Sequence, residues 1–129
     1  WPRAYEEWTL TASLRPRRGE IWTAYLPDAP HRHWVVIVSV DSRNLNDRVA
    51  SVLGIPFGSH GAEGPTVMAL PPGETGLPAA SYLKAHFIQV VKKESLIQRE
   101  PRVLSNTRMK QVVEMVRRAV DPDASWPGR

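Results

Sequence analysis

The sequence predicts a mainly β domain with some helix, in which short strands form a small barrel and one helix closes it. The chain has 129 residues, enough for one hydrophobic core and too few to divide comfortably into two. Short runs rich in β-branched residues recur between turns rich in Pro and Gly, and only the end of the chain has a helical period of apolar residues. Because no helix is available for parallel crossovers, an antiparallel barrel is favoured over a βαβ sheet.

The first third of the chain is predicted to contain an N-terminal arm and two strands. The arm covers residues 1–18, mixes prolines with charges, and has apolar residues spaced for a short amphipathic helix. EIWTAYL (20–26) alternates like a half-buried strand, and PDAPHRH (27–33) is a loop. HWVVIVSVD (33–41) has consecutive β-branched residues, which predict a central strand buried on both faces.

The middle of the chain adds two more strands. SRNLNDR (42–48) is a polar connector, and VASVLGIP (49–56) is the third strand. FGSHGAEGP (57–65) is a loop whose glycines allow positive φ angles, and TVMAL (66–70) is the fourth strand. The barrel domain is expected to extend over residues 19–121.

The last part is predicted to contain one long strand and the closing helix. PPGETGLP (71–78) interrupts the chain, SYLKAHFIQVV (81–91) is the fifth strand, and KKESL (92–96) is a single helical turn. A helix capped by Ser105 ends before Pro122, and residues 122–129 form a tail. Its apolar positions follow helical spacing: Met109, Val112, Val113, Val116 and Val120.

Composition narrows the chemistry. There is no cysteine, and the four histidines are not spaced as metal ligands on a helix, so we expect no structural metal and no cofactor. No apolar run approaches the roughly 20 residues that a membrane span requires. The absence of cysteine fits a reducing compartment, and we expect a cytoplasmic protein. The net charge is +4, and 13 of the 17 cationic residues are arginine, which favours a polyanionic partner such as nucleic acid.

Several short segments together resemble the MazF/PemK toxins of type II toxin–antitoxin systems. They are RGEIWTAYL, VVIVSVD, VLGIPFGS, PTVMALPPGETGLP, FIQVVKKESL and the helix after VLS, and the resemblance covers residues 18–120. It implies an SH3-like barrel of the MazF/CcdB type with a C-terminal helix. It further implies a homodimer with metal-independent, sequence-specific endoribonuclease activity on single-stranded RNA, inhibited by a cognate antitoxin protein.

The sequence departs from this family at the positions that usually carry the chemistry. An arginine followed by a proline usually heads the second strand; here these positions are His33 and Trp34, with Arg32 beside them. The usual threonine at the end of the third strand is Gly58, followed by Ser59 and His60. The usual arginine of the fifth strand is Gln89.

These positions supply the candidate site residues. Cleavage of RNA without a metal uses the 2′-hydroxyl as nucleophile, so the protein must move protons and stabilise a charged phosphorane. Imidazole and guanidinium groups suit these tasks. We therefore predict three catalytic residues, Arg32, His33 and Ser59, and three RNA-binding residues, His31, His60 and Gln89.

Two questions stay open at this point. Spacing nominates His33 as the cation that binds phosphate, whereas guanidinium chemistry nominates Arg32. On an extended chain the two flanking imidazoles share one side and Arg32 points to the other, so they meet only if the backbone bends.

The second question is whether the protein is an enzyme. A non-catalytic binding protein of the same fold, directed at gyrase or only at an antitoxin, is favoured by Gly58 and Gln89, and the nuclease by the retained cation and serine. Simpler roles exist as well: Ser59 as a turn residue, and Trp22 and Trp34 as core aromatics.

Overall fold

The structure is a computed structural model that describes residues 15–27, 29 and 31–126, so the predicted helix of the N-terminal arm lies outside the described residues. It confirms a mainly antiparallel β fold with a C-terminal helix. The strands are β1 (Glu20–Tyr25), β2 (Arg32–Ile37), β3 (Ser51–Gly58), β4 (Val67–Leu70), β5 (Ser81–Lys84), β6 (Gln89–Lys92) and β7 (Leu96–Val103). The helices are α1 (Asp41–Asn44), α2 (Pro72–Thr75) and α3 (Asn106–Val120), with 3-10 turns at Ala85–Phe87 and Lys93–Ser95.

The strands form one curled sheet in the order β4-β5-β3-β2-β1-β7, with β6 also paired to β3. All pairings are antiparallel, as expected where no helix connects consecutive strands. Five of the strands each place apolar side chains in one buried cluster, which is the interior of the barrel. Its members are Trp22, Ala24, Val35, Ile37, Val52, Val91 and Leu96.

A second core lies on the outer face of the sheet, beneath α3. It unites side chains from β1, β2 and β3 with side chains of β4, β5 and the helix. Val35, Val36 and Ile37 therefore belong to two cores on opposite faces of β2, which confirms the prediction that this part of the strand is buried on both sides. The buried residues of this second core are Ile21, Val36, Ile55, Met68, Leu70, Leu83, Ala85, Leu104, Met109, Val112 and Met115.

Helix α3 begins as predicted, but its buried face differs from the predicted one. Ser105 caps it by accepting a hydrogen bond from the Arg108 backbone N–H at 3.1 Å. Met109 and Val112 are buried, yet Val113 is 47% exposed and Val120 is 74% exposed, so their predicted place in the core is wrong. Met115, which the prediction omitted, is 3% exposed, because the 109, 112 and 115 positions lie toward the sheet.

The predicted long strand over residues 81–91 is wrong, because a 3-10 turn divides it. Leu83 pairs with Phe57, and Gln89 pairs with Gly54. The chain therefore advances six residues, from 83 to 89, while β3 spans only three, from 57 back to 54. The turn takes up the three extra residues and lets the chain pair with two parts of β3. Strand β7 was not predicted at all, because its polar residues and Pro101 are typical of a loop. Among the described strands it pairs only with β1.

A buried polar network fixes the end of β2 and the turn that follows. The Asn44 side-chain amide donates to the Ser39 carbonyl at 2.7 Å and to Asp41 Oδ1 at 3.1 Å, while Ser39 Oγ donates to Asn44 Oδ1. Ser39 Oγ also accepts the Leu53 N–H at 2.9 Å, and Asp41 Oδ1 accepts the Arg18 N–H at 2.7 Å. The residues DSRN (41–44), which were predicted as a strand end and a connector, thus form a short helix held by side-chain hydrogen bonds to the residues around it.

Candidate functional site

Among the described residues, nothing packs on the outer face of the sheet at the N-terminal end of β2, and we call this part the uncovered half. In the β1–β2 register, Thr23 pairs with Trp34 and Tyr25 with Arg32. Side chains alternate along a strand, so these four residues share the outer face with Ile21 and Val36, which are covered by the second core. The face therefore changes from apolar and buried to polar, aromatic and exposed within a few residues.

This uncovered half forms a cavity of about 580 Å³, within the size range of small-molecule sites. Trp34 is 38% exposed and Tyr25 is 56% exposed, so both rings are accessible. Strand β7 contributes the far wall, where the Trp34 indole N–H donates to Glu100 Oε1 at 3.4 Å. The lining residues are Thr23, Tyr25, His31, Arg32, Trp34, Gln98 and Glu100.

His31 and Arg32 lie together in this cavity, which differs from the arrangement expected on an extended chain. The chain bends at His31 and becomes a regular strand only from Arg32, so adjacent side chains line the same space. His33 pairs with Ala24 and takes the opposite face, the one that leads to the barrel interior, where it is half-buried. The backbone bend that an imidazole beside Arg32 requires is therefore present, but the imidazole that lies there is that of His31 and not that of His33.

The remaining predicted site residues do not line the cavity. The β2–β3 pairing ends at Val35 and Pro56, after which β3 pairs with β5 through Gly58 and Tyr82. Ser59 and His60 follow as an exposed segment on that side. Gln89 pairs with Gly54, and its side chain donates to the Phe87 carbonyl at 3.2 Å.

Gly58, which replaces the usual threonine, has room for a side chain. The nearest atoms to a Cβ at this position would be the His60 and Tyr82 carbonyl oxygens, both at 3.8 Å. Its φ angle is not positive. Neither packing nor the backbone conformation therefore requires glycine at position 58. A threonine would fit here, so the structure gives no reason for the absence of its hydroxyl.

The sequence prediction missed four residues of the cavity and misassigned a fifth. Thr23 and Tyr25 were expected only as members of a half-buried strand, and Trp34 as a core aromatic, which is wrong. Trp22, in contrast, is confirmed in the core at 2% exposed. Gln98 and Glu100 lie on β7, which was not predicted. Because they are two positions apart on a strand, their side chains share one face, and this spacing was the available sequence signal. Pro101 makes the segment resemble a loop.

Three charged groups with shifted pKa values, Glu74, Arg108 and Lys93, lie away from the cavity. Hydrogen bonds and charge from Arg108 hold the pKa of the Glu74 carboxyl below its ordinary value, and Glu74 raises the pKa of Arg108 in return. Two contacts of 2.8 and 2.9 Å make this pair bidentate. Partial burial lowers the pKa of Lys93, which donates to the Asn46 carbonyl at 2.9 Å.

Within residues 15–27, 29 and 31–126, no three His, Asp or Glu side chains come together in a way that could hold a metal ion. In the same part of the chain, no helix has the length and apolar character needed to cross a membrane.

The fold and the cavity together define a small antiparallel β-barrel domain whose open face carries exposed cationic and aromatic side chains. Residues 17–120 match the family model of the PemK-like, MazF-like toxins of type II toxin–antitoxin systems. The chain belongs to this family. No protein among the curated ones compared with it gives a significant match.

Solved structures share the fold at low sequence identity. An endoribonuclease in complex with its cognate antitoxin from a mycobacterial species is 23% identical, with a TM-score of 0.69 over 87% of this chain and 99% of that one. The Mycobacterium tuberculosis toxin MazF-mt6 is 17% identical, with a TM-score of 0.67 over 83% and 99%. The Deinococcus radiodurans MazE-MazF structure is 18% identical, with a TM-score of 0.58 over 76% and 89%.

Proposed function

We propose that the protein is a toxin with metal-independent, sequence-specific endoribonuclease activity on single-stranded RNA. The observation that supports this most is the cavity in which His31 and Arg32 lie beside two exposed aromatic rings, Tyr25 and Trp34. Membership of the toxin family and the fold shared with endoribonucleases point the same way.

The side chains in the cavity suit each part of the proposed reaction. Arg32 binds the scissile phosphate, because guanidinium stays charged and grips two oxygens at once. His31 transfers a proton, since imidazole changes its charge near neutral pH. Tyr25 and Trp34 stack on unpaired bases, which is how single-stranded RNA is commonly held. His31 takes the proton of the 2′-hydroxyl as that oxygen attacks the phosphorus, and the bond between phosphorus and the 5′-oxygen breaks. The 5′-oxygen takes up a proton as it leaves, so the products are a 2′,3′-cyclic phosphate and a 5′-hydroxyl.

His33 and Ser59 complete the proposed catalytic set, with His60 and Gln89 on the RNA-binding side. His33 is next to Arg32 in the chain but faces the barrel side of β2, and Ser59 lies beyond β3. For this reason His31 is the stronger candidate for proton transfer. Separate variants of His31 and His33 distinguish the two assignments.

The proposed biological setting is cytoplasmic, with a homodimer as the active form and a cognate antitoxin as the inhibitor. The mycobacterial endoribonuclease structure contains such an antitoxin. A homodimer is what the family resemblance implies, so a dimer is the form expected in solution. Sedimentation should therefore give a dimer at tens of micromolar, and a monomer at that concentration would contradict this part of the proposal.

Cleavage of a mixed-sequence RNA in EDTA, followed by mapping of the new ends, tests the proposed activity. We expect cuts at a short recurring sequence, with a 2′,3′-cyclic phosphate on one product and a 5′-hydroxyl on the other. Activity that EDTA abolishes and magnesium restores would contradict the mechanism.

Single variants then test the assignment of residues. Arg32→Ala should lower the cleavage rate by about 30- to 1000-fold, the loss of roughly 2–4 kcal/mol that removal of one electrostatic donor typically causes. Arg48→Ala removes an exposed arginine outside the cavity and serves as the matched control. His31→Ala should change the pH dependence of the rate more than His33→Ala does. Full activity of a folded Arg32→Ala protein would refute the assignment.

A second candidate function is binding without catalysis, directed at gyrase or at an antitoxin only. The glycine at position 58 favours this function, because the packing does not require a glycine there and a threonine could have been kept. Gln89 favours it as well, because its side chain donates a hydrogen bond to the nearby Phe87 carbonyl. An intact RNA after prolonged incubation, together with tight binding of a candidate partner, would favour this alternative.

A further inference from the structure

We propose that the cavity selects a guanine base and that Glu100 is the residue that reads it. The inference rests on the proposed function and assigns a specificity to the same site. Glu100 and Gln98 come from β7, on the far side of β1 from Arg32. Neither Glu100 nor Arg32 has an ion-pair partner among the described residues, so both charges are available to a ligand.

The carboxylate of Glu100 is oriented toward the cavity by Trp34. The indole N–H of Trp34 donates to its Oε1 at 3.4 Å, a long bond that leaves acceptor capacity on both oxygens. An ionised carboxylate accepts hydrogen bonds and donates none. A base that binds here must therefore place donors opposite the two carboxylate oxygens, and a base edge that places a carbonyl oxygen there is rejected, since an acceptor facing an acceptor leaves both unsatisfied.

Guanine fits this requirement better than the other bases. Its Watson–Crick edge carries two adjacent donors, N1–H and the N2 amino group, which match the two oxygens of a carboxylate. Adenine and cytosine offer only an amino group beside a ring acceptor, and uracil offers one N–H between two carbonyl groups. Reading unpaired bases on this edge is the usual mode of sequence-specific RNA recognition.

The dimensions of the cavity match one nucleotide. Neighbouring strands lie about 4.8 Å apart, so the backbones of β2 and β7, on either side of β1, are separated by roughly 10 Å. That distance is comparable to the span from the base edge of a nucleotide to its phosphate. With the base at Glu100 and its face on an aromatic ring, the phosphate reaches toward Arg32.

Nucleotide binding followed at the Trp34 indole N–H resonance tests the inference without any need for cleavage. GMP, IMP, AMP, CMP and UMP are titrated in turn, and Trp34→Phe identifies the resonance. We expect GMP to bind at least tenfold more tightly than AMP, CMP or UMP. IMP, which lacks the N2 amino group, should bind more weakly than GMP. Equal binding of all five nucleotides, or GMP binding that leaves Trp34 unaffected, would overturn the inference.

Variants of Glu100 complete the test. Glu100→Gln should abolish the preference for GMP, because an amide places a donor where the guanine donors bind. Glu100→Asp should keep a weakened preference, and Glu94→Gln, at an exposed carboxylate on the 3-10 turn, should leave it unchanged. A preference that survives Glu100→Gln in a protein with wild-type thermal stability would overturn the inference.

The outcome is separable from that of the proposed function. If the protein cleaves RNA, guanine should occupy one fixed position of the cleavage sequence, and Glu100→Gln should relax that position alone. Cleavage with no guanine requirement would refute the specificity and leave the nuclease standing. Guanine-selective binding by a protein that never cuts RNA would refute the nuclease and leave the specificity standing.

Discussion

The outer face of β1 and β2 has two halves that share one strand register and differ in burial and in the polarity of their side chains. At one end Ile21 and Val36 pair and are fully buried beneath α3. At the other end Tyr25 and Arg32 pair in the same register and are exposed in the cavity. Val36 and Trp34 are only two residues apart on one strand, and the first contributes to stability while the second is available to a ligand.

The difference between the halves is set by what packs on the sheet, not by the strand itself. The helix and the β4–β5 pair cover one half, and nothing among the described residues covers the other. Substitutions in the covered half should therefore lower the free energy of unfolding, whereas substitutions in the open half should change binding or cleavage. Each of the following predictions tests one side of this division.

The largest expected effect is the loss of a helix side chain from the covered half. Met115→Ala should lower the free energy of unfolding by about 2–4 kcal/mol, because it leaves a cavity in the second core. Val113→Ala, at a neighbouring and exposed position, should change it by less than about 0.5 kcal/mol. Urea denaturation measures both, and equal losses would mean that the helix presents a different face to the sheet.

A smaller loss is expected where β2 ends. Asn44→Ala removes two donated hydrogen bonds from a buried network and should lower the free energy of unfolding by about 1–3 kcal/mol. The cleavage rate of the folded protein should not change, since the network lies at the opposite end of β2 from Arg32. Asn106→Ala, at an exposed position, is the control. A loss of activity without a loss of stability would break the proposed division.

A gain is expected from filling the site of the missing threonine. Gly58→Thr should raise the free energy of unfolding by about 0.5–1 kcal/mol, because it reduces the freedom of the unfolded chain in a strand with room for the new side chain. Gly54→Thr should be destabilising, as its Cβ would lie 3.3 Å from Val91 Cγ2 and 3.4 Å from the Val36 carbonyl oxygen. If the protein is a nuclease, the added hydroxyl at position 58 should also increase the cleavage rate. A Gly58→Thr enzyme that is no faster than the wild type would argue against a catalytic contribution of a hydroxyl at this position.

The smallest effect concerns the ion pair that attaches the start of α3 to α2. Arg108 lowers the pKa of Glu74 below its ordinary 4.5, so the pair stabilises the folded state above that pH. This contribution should be lost as the pH falls through the lowered pKa of the folded state. Glu74→Gln should remove that part of the acid dependence, and added salt should weaken the effect because the pair is partly exposed. An acid unfolding curve identical to that of the wild type would show that the pair contributes nothing measurable.

Sequence patterns predicted the fold better than they predicted which residues line the cavity, for a physical reason. Runs such as VVIV and the capped helix after Ser105 depend on local propensity and periodicity, and both are confirmed. The face that each residue occupies depends on what packs against it, so Val113 was placed in the core and Met115 was not. Trp34 looks like a core aromatic in any local window, and its exposure follows from the extent of the covering layer.

The site itself depends on contacts between distant parts of the chain. Arg32 and His31 were selected by their chemistry, and they do lie together in one cavity. Glu100 comes from a strand that pairs with β1 some 75 residues away in sequence, as Thr23 does with Gln98. No local pattern predicts that pairing, because a polar strand with a proline resembles a loop.

The two outermost strands of the sheet have a consequence for how copies of this protein meet one another. β4 has only four residues, and β7 carries Pro101 between charged neighbours, so each border offers few free backbone groups for a further strand. Such borders disfavour growth into fibrils by strand addition. A contact between copies made by side chains, rather than by these backbone groups, would be reversible and open to competition from another protein.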